Sequence, residues 1–164
     1  MFIELDGWMA KLRFSACHFI PDHPKCGRLH GHTYAINVRI EGKQVEEFIM
    51  DFEVLKDIVS DICERLDHRV LMARNDPRLK IKEDANYFNI EIIKSCKHYV
   101  LPADDIILLP ISSVSAEELC KYFLNEILTS IKKNNHADNI TAIHVRLDEG
   151  IGQGAGCSLQ VRLK

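Results

Sequence analysis

The sequence predicts an α+β domain in which a four-stranded antiparallel sheet carries two helices on one face, with a β-rich insertion between the helices. Three observations carry this. Two segments near the N-terminus and two near the C-terminus alternate apolar and polar residues at the period of a strand, and two central segments repeat apolar residues at the period of a helix. The resulting order is β-β-α, an insertion, then α-β-β. One sheet face covered by both helices would bury both apolar stripes.

The first strand is expected between Trp8 and Ile20. Leu12, Phe14, Ala16, His18 and Ile20 share one face there, and Lys11, Arg13, Ser15, Cys17 and Phe19 the other. A loop with Pro21, Pro24 and Gly27 follows. His30 to Ile40 alternates again, with His32, Tyr34, Ile36, Val38 and Ile40 on one face. "MDFEVLKDIVSDICERL" then changes period: Leu55, Ile58, Val59, Ile62 and Leu66 form a helical stripe, and Asp51 is placed to cap it. Arg74 to Asp84 is polar and contains Pro77, so it reads as a loop. "YFNIEII", "HYVL" and "DIILLP" read as short strands. The second helix is marked by Ala116, Leu119, Cys120, Phe123, Leu124, Ile127, Leu128 and Ile131, with Ser115 and Glu118 spaced as a capping box. Strands at Ile140–Asp148 and Cys157–Leu163 close the chain. The Trp8–Ile20 and C-terminal strands should be sheet edges, and closing such edges against neighbouring copies favours a cyclic oligomer.

The length of 164 residues suits a single domain spanning 1–164. A formal charge of −3 offers no broad basic footprint for nucleic acid or an anionic membrane surface. Glu4 and Asp6 interrupt the apolar run that a secretion signal needs, and no stretch is long enough to span a bilayer. The six cysteines are scattered and include no CxxC, which points to free thiols in a reducing cytoplasm. Cys63, Cys120 and Cys157 read as core, Cys17 faces away from His18, and Cys96 falls in a turn.

"CGRLHGH", Cys26 to His32, carries the chemistry. His30 and His32 are two apart on a strand and project from one face, and His18 has matching parity on the strand before. Three imidazoles on rigid strands suit zinc with a fourth position open; ordinary hydrogen-bonded histidines are the alternative. Cys26 could be a fourth zinc ligand, or could stay off the metal as a thiolate favoured by Lys25 and Arg28. Asp67 and His68 form either a proton relay or a helix cap beside a surface imidazole. Glu149 has the apolar parity of its strand. It must therefore be paired, turn to water, or receive a ligand such as a planar heterocycle offering an N–H and an amino group. The glycines at 150, 152, 154 and 156 lack the lysine and the following helix of a phosphate loop, so they read as a hairpin connection.

Taken in order, "FSACHF", "CGRLHGH", "LDH", "SAEEL" and "RLDEG" resemble the 6-pyruvoyltetrahydropterin and 6-carboxytetrahydropterin synthase family from about Phe14 onward. The resemblance implies the tunnelling fold, a homotrimer or homohexamer, and sites near subunit interfaces. It implies zinc (Zn2+) on His18, His30 and His32, with Cys26 as the catalytic thiol and Asp67 and His68 as its acid/base partners. It also implies that Glu149 anchors the pterin, with Glu117 as a second substrate-binding residue. The expected activity is that of a zinc-dependent 6-carboxy-5,6,7,8-tetrahydropterin synthase. Such an enzyme takes 7,8-dihydroneopterin triphosphate and releases triphosphate and acetaldehyde, in 7-deazaguanine (queuosine or archaeosine) synthesis. The alternatives are release of the 6-pyruvoyl product, or a non-catalytic zinc-stabilised pterin-binding module. The chain departs from the family pattern at Val114–Ser115, where Pro-Thr is usual, and at Gly150, where Thr is frequent.

Overall fold

The computed structural model describes residues 1–134 and 138–161. In chain order its elements are β1 (Phe2–Leu5), β2 (Arg13–His18), β3 (His30–Gly42), α1 (Phe52–Leu66), β4 (Arg69–Ala73), β5 (Leu79–Asp84), β6 (Tyr87–Ile92), β7 (Lys97–Pro102), β8 (Ile106–Leu109), α2 (Ala116–Lys133), β9 (Ile140–Glu149) and β10 (Gly154–Gln160). The last strand was expected to reach Leu163, and residues 162 and 163 lie outside the described residues.

The four expected strands are present in the order β10-β9-β3-β2, all antiparallel. Strand β3 is the spine. Its first half pairs with β2, and most of its length pairs with β9, placing Ile36 opposite Leu147 and Val38 opposite Val145. The even-numbered face of β2 and β3 meets both helices. Phe14 stacks on Tyr34 at 4.9 Å and on Phe123 of α2 at 5.7 Å, which ties the sheet to the helix layer. Such an aromatic pair is worth about 0.5–1.5 kcal/mol beyond its area burial.

Both helices begin where expected. Asp51 accepts from the Glu53 amide, and Ser115 accepts from the Glu118 amide at 3.4 Å. The capping box at α2 is corrected in one half. Instead of reaching back to Ser115, the Glu118 carboxylate accepts from Ser112 Oγ and Lys121 Nζ. No helix among the described residues is long and apolar enough to cross a membrane.

The sheet is larger than expected and is mixed: it has seven strands. Strand β1 adds to the second half of β3, and β4 and β8 extend the sheet beyond β2 in parallel. The segment expected as a strand from Trp8 starts only at Arg13, because Asp6 Oδ1 accepts from the Trp8 and Met9 amides and turns the chain. Nor is β2 an edge, since β4 and β8 lie outside it. Parallel neighbours need a long crossover, and the insertion supplies it between β4 and β8. Strands β5, β6 and β7 form a separate three-stranded antiparallel sheet, so the expected loop at Arg74–Asp84 is corrected to a strand over Leu79–Asp84.

That small sheet has a structural task. It buries Phe88, Ile90 and Ile92 against Phe19, Met72 and Ile106 in a second core, separate from the one under the helices. Leu71 and Ala73 of β4 face the helix core while Met72 between them faces the second core. Burial on both faces makes "RVLMA" a continuous apolar run without alternation, as expected of an inner parallel strand.

Candidate metal and substrate site

Pairing of β2 with β3 sets His18 directly opposite His30 and Ala16 opposite His32. The three imidazoles therefore converge on the helix-side face, with ring centroids 4.6 Å apart for His18–His30, 5.2 Å for His18–His32 and 5.0 Å for His30–His32. Each offers one nitrogen, and all three nitrogens lie within 4.8 Å of one another. Gly31 between the ligand pair serves close strand packing, since a Cβ there would stand 3.2 Å from the Ala16 carbonyl oxygen.

Hydrogen bonding decides which nitrogens face inward. His18 Nδ1 lies 2.8 Å from the Val114 carbonyl oxygen, which only accepts, so Nδ1 carries the proton and Nε2 is a bare lone pair. His30 Nδ1 donates in the same way to the Arg28 carbonyl oxygen at 2.6 Å. Burial, helped by His30 and His32 and opposed by the Val114 carbonyl, pushes His18 down to about 4, so the ring is neutral at pH 7. Its buried Nε2 has no hydrogen-bond partner among the described residues. An orphaned nitrogen of this kind costs about 1–3 kcal/mol in a closed protein.

Glu149, at the end of β9, points at this nitrogen. Its Oε1 lies 3.4 Å from His18 Nε2 and 3.8 Å from His32 Nε2, and accepts from the Tyr34 hydroxyl at 3.3 Å. A bare imidazole nitrogen facing a carboxylate sets lone pair against lone pair, and a cation between them removes the conflict. The donor set fits zinc: three imidazoles, two with their second nitrogen on a backbone carbonyl that fixes the tautomer. Tyr34, fully buried beside the carboxylate, has its hydroxyl pushed well above the ordinary range, first by burial and then by Glu149.

Cys26 stands outside the converging group, in a loop held by its own backbone. Its amide donates to His23 Nδ1 at 2.9 Å, its carbonyl accepts from Ile20 N at 2.8 Å, and its thiol is half-buried. Glu117 is exposed in the first turn of α2, the helix whose leading segment supplies the Val114 carbonyl to His18.

Asp67 ends α1, and its two oxygens are both used: Oδ1 accepts from the Ser15 amide and Oδ2 from His68 Nδ1, each at 2.7 Å. His68 adopts a left-handed φ of 57°, and its side chain is 84% exposed with Nε2 free to take a proton. Asp67 therefore fixes the orientation of the His68 ring. His68 lines a groove of about 580 Å³ with Ser15, Cys17 and Thr33, odd-numbered side chains of β2 and β3, and His32 also borders it. The Ser15, Cys17 and Thr33 side chains point away from the face on which the three imidazoles converge, so Asp67 and His68 sit against the opposite face of the sheet.

The family model described as 6-pyruvoyl tetrahydropterin synthase matches residues 9–159. The chain belongs to this pterin synthase family. A Methanocaldococcus jannaschii protein provisionally named 6-carboxy-5,6,7,8-tetrahydropterin synthase is 42% identical over 159 residues, covering 94% of each chain. The Bacillus subtilis 6-carboxy-5,6,7,8-tetrahydropterin synthase is 36% identical over 69 residues, covering 40% of this chain and 45% of that one. The Plasmodium falciparum 6-pyruvoyl tetrahydropterin synthase structure superposes with a TM-score of 0.88 at 25% identity, covering 98% of both chains. A Plasmodium vivax 6-pyruvoyl tetrahydropterin synthase structure gives 0.87 at 27% identity, covering 98% of this chain and 99% of that one. The tunnelling fold expected from the sequence is thus the fold observed, with strands added at the β2 side.

Two residues of this pterin synthase site had no role in the sequence reading. Tyr34 shares the face of His32, two positions on, and parity alone could have placed it. Val114 contributes only its carbonyl, and no side-chain pattern signals that.

Proposed function

We propose that this pterin synthase family member is a zinc-dependent 6-carboxy-5,6,7,8-tetrahydropterin synthase acting on 7,8-dihydroneopterin triphosphate in 7-deazaguanine (queuosine or archaeosine) synthesis. The observation that carries the metal is the bare, buried Nε2 of His18 aimed at the Glu149 carboxylate. The choice of product follows the names of the Methanocaldococcus and Bacillus relatives.

His18, His30 and His32 would hold the zinc, which when bound supplies Lewis acidity to the hydroxyls of the substrate side chain. Glu149 accepts from the N–H and amino group of the pterin edge, and Tyr34 holds that carboxylate in place. Glu117 is the second substrate-binding residue. Cys26 as thiolate takes and returns protons along the side chain, and its loop leads directly to His30. Asp67 holds Nδ1 of His68, leaving Nε2 as the second acid/base group. Because this relay lies on the opposite sheet face from its own chain's histidines, it serves a site completed at a subunit boundary. A homotrimer or homohexamer provides such boundaries.

The test is incubation of zinc-loaded protein with the triphosphate, read by mass spectrometry. Acetaldehyde and a 6-carboxy product are expected, whereas a persistent 6-pyruvoyl product would overturn the cleavage step. Cys26→Ala should keep its zinc and lose turnover. Zinc and fold lost together in that variant would show that Cys26 is a ligand.

A further inference from the structure

A second feature lies on the other side of the Cys26 loop. Between that loop and the turn joining β6 to β7 runs a groove of about 390 Å³ whose walls include Arg28, Lys94 and Lys97, with Ser95, His23 and one carboxylate, Asp22. Among the described residues, Arg28, Lys94 and Lys97 form no ion pair with a carboxylate, so their charge is not neutralised within the chain. The chain as a whole is acidic at −3, so this surplus of positive charge is local.

The groove is also built rather than accidental. Lys97 Nζ donates to the Gly27 carbonyl oxygen at 3.2 Å, which pins the insertion to the Cys26 loop and leaves two ammonium protons for a ligand. His23 Nδ1 accepts the Cys26 amide, so the neutral ring keeps its proton on Nε2, a donor. Gly27 closes the loop so tightly that a Cβ would stand 2.6 Å from the His23 carbonyl oxygen. Arg78 adds a second tie, donating to the Pro21 carbonyl oxygen at 2.9 Å while paired with buried Asp76.

Through Arg28 the wall of the groove leads into the histidine cluster along the chain. Arg28 is two residues from His30, at most about 7 Å of chain, and its carbonyl oxygen is the one that orients His30 Nδ1. A substrate seated at the histidines can therefore extend an anionic tail into the groove. The geometry points to this groove as the subsite for the phosphate chain of the substrate, with Arg28 and Lys94 as its principal contacts and Lys97 at its floor. Arg28 supplies a planar fork suited to two phosphate oxygens, and the lysines supply point charges. The inference rests on the phosphorylated-pterin reading above. It assigns a binding role to the insertion, which otherwise only covers one end of the sheet.

The test uses the full-length, zinc-loaded protein and the double variant Arg28→Ala/Lys94→Ala. Both side chains are exposed, so the fold should survive, and zinc content with a thermal melt checks this. Lys94→Glu is a second, single-site variant. Two probes are used: steady-state kinetics with 7,8-dihydroneopterin triphosphate, and calorimetric binding of inorganic tripolyphosphate and of unphosphorylated neopterin. Any chelation of zinc by tripolyphosphate acts on both proteins alike, so the difference between them reports the groove. The double variant should raise KM tenfold or more with a far smaller fall in kcat, the pattern of lost uniform binding. It should weaken tripolyphosphate binding by a similar factor and leave neopterin binding within twofold. Added salt should raise KM more steeply in the wild type than in the variant. KM and tripolyphosphate affinity both unchanged within twofold would overturn the assignment. Weaker tripolyphosphate binding in the variant, with turnover by neither protein, would support the groove and overturn the reaction proposed above.

Discussion

Removing the metal should loosen the whole fold, and His18 makes the size of the effect calculable. Among the described residues His18 Nε2 is buried without a hydrogen-bond partner and 3.4 Å from a carboxylate, so the native state gathers a candidate cation site that the unfolded chain lacks. With free zinc at a thousand times its Kd, binding to the native state alone adds about 4 kcal/mol. For a domain of this size each kcal/mol moves Tm by about 2–4 °C, so the zinc-loaded protein should melt about 8–16 °C above the chelated one. His18→Ala removes one of the three nitrogens. Even a hundredfold loss of affinity leaves the same zinc at about ten times Kd, worth about 1.4 kcal/mol, and shrinks the shift to about 3–6 °C. Calorimetry on both proteins, each with zinc and with chelator, isolates the metal effect from the packing cost of the substitution. An equal zinc-induced shift in wild type and His18→Ala would refute the argument.

Two further outcomes are expected. Burial raises the Asp67 carboxyl, but the Ser15 amide and His68 outweigh it and hold the group below its ordinary 3.8. A depressed carboxylate contributes stability above its unfolded value and loses it as pH falls through the folded value, so the loss lies below about pH 4. Asp67→Asn should therefore cost about 0.5–1 kcal/mol at pH 7, kept small because the side chain is 40% exposed, and should flatten the acid limb in urea melts. Parallel acid limbs would contradict this. Sedimentation velocity at micromolar concentration should find a trimer or hexamer, because β10 is an open sheet edge and the exposed His68 sits against the sheet face opposite the one on which the imidazoles converge. A monomer alone would remove the shared-site argument.

Local pattern was enough for the four core strands, both helices with their Asp51 and Ser115 caps, and the shared face of His18, His30 and His32. Strand parity and helical period depend only on residues a few positions apart, and the two histidines of "CGRLHGH" sit on such a strand. The limits lay where burial depends on distant chain. "RVLMA" shows no alternation because the helix core takes Leu71 and the insertion core takes Met72, and neither neighbour is near in sequence. "LKIKED" does alternate, but its exposed lysines and acids mask a strand whose Leu79 and Ile81 pack only on the second core. The site divides the same way. The sequence alone determined that His18, His30 and His32 share one strand face, because parity follows from spacing, whereas spacing left Cys26, Asp67 and His68 open and only the family resemblance gave them acid/base roles. Only the tertiary structure decided that Glu149 and Tyr34 meet the histidines and that Val114 turns a lone pair of His18 inward. Asp67 and His68 face away for the same reason: pairing β9, β4 and the α2 entry onto β2 and β3 is a long-range event, written in no single segment.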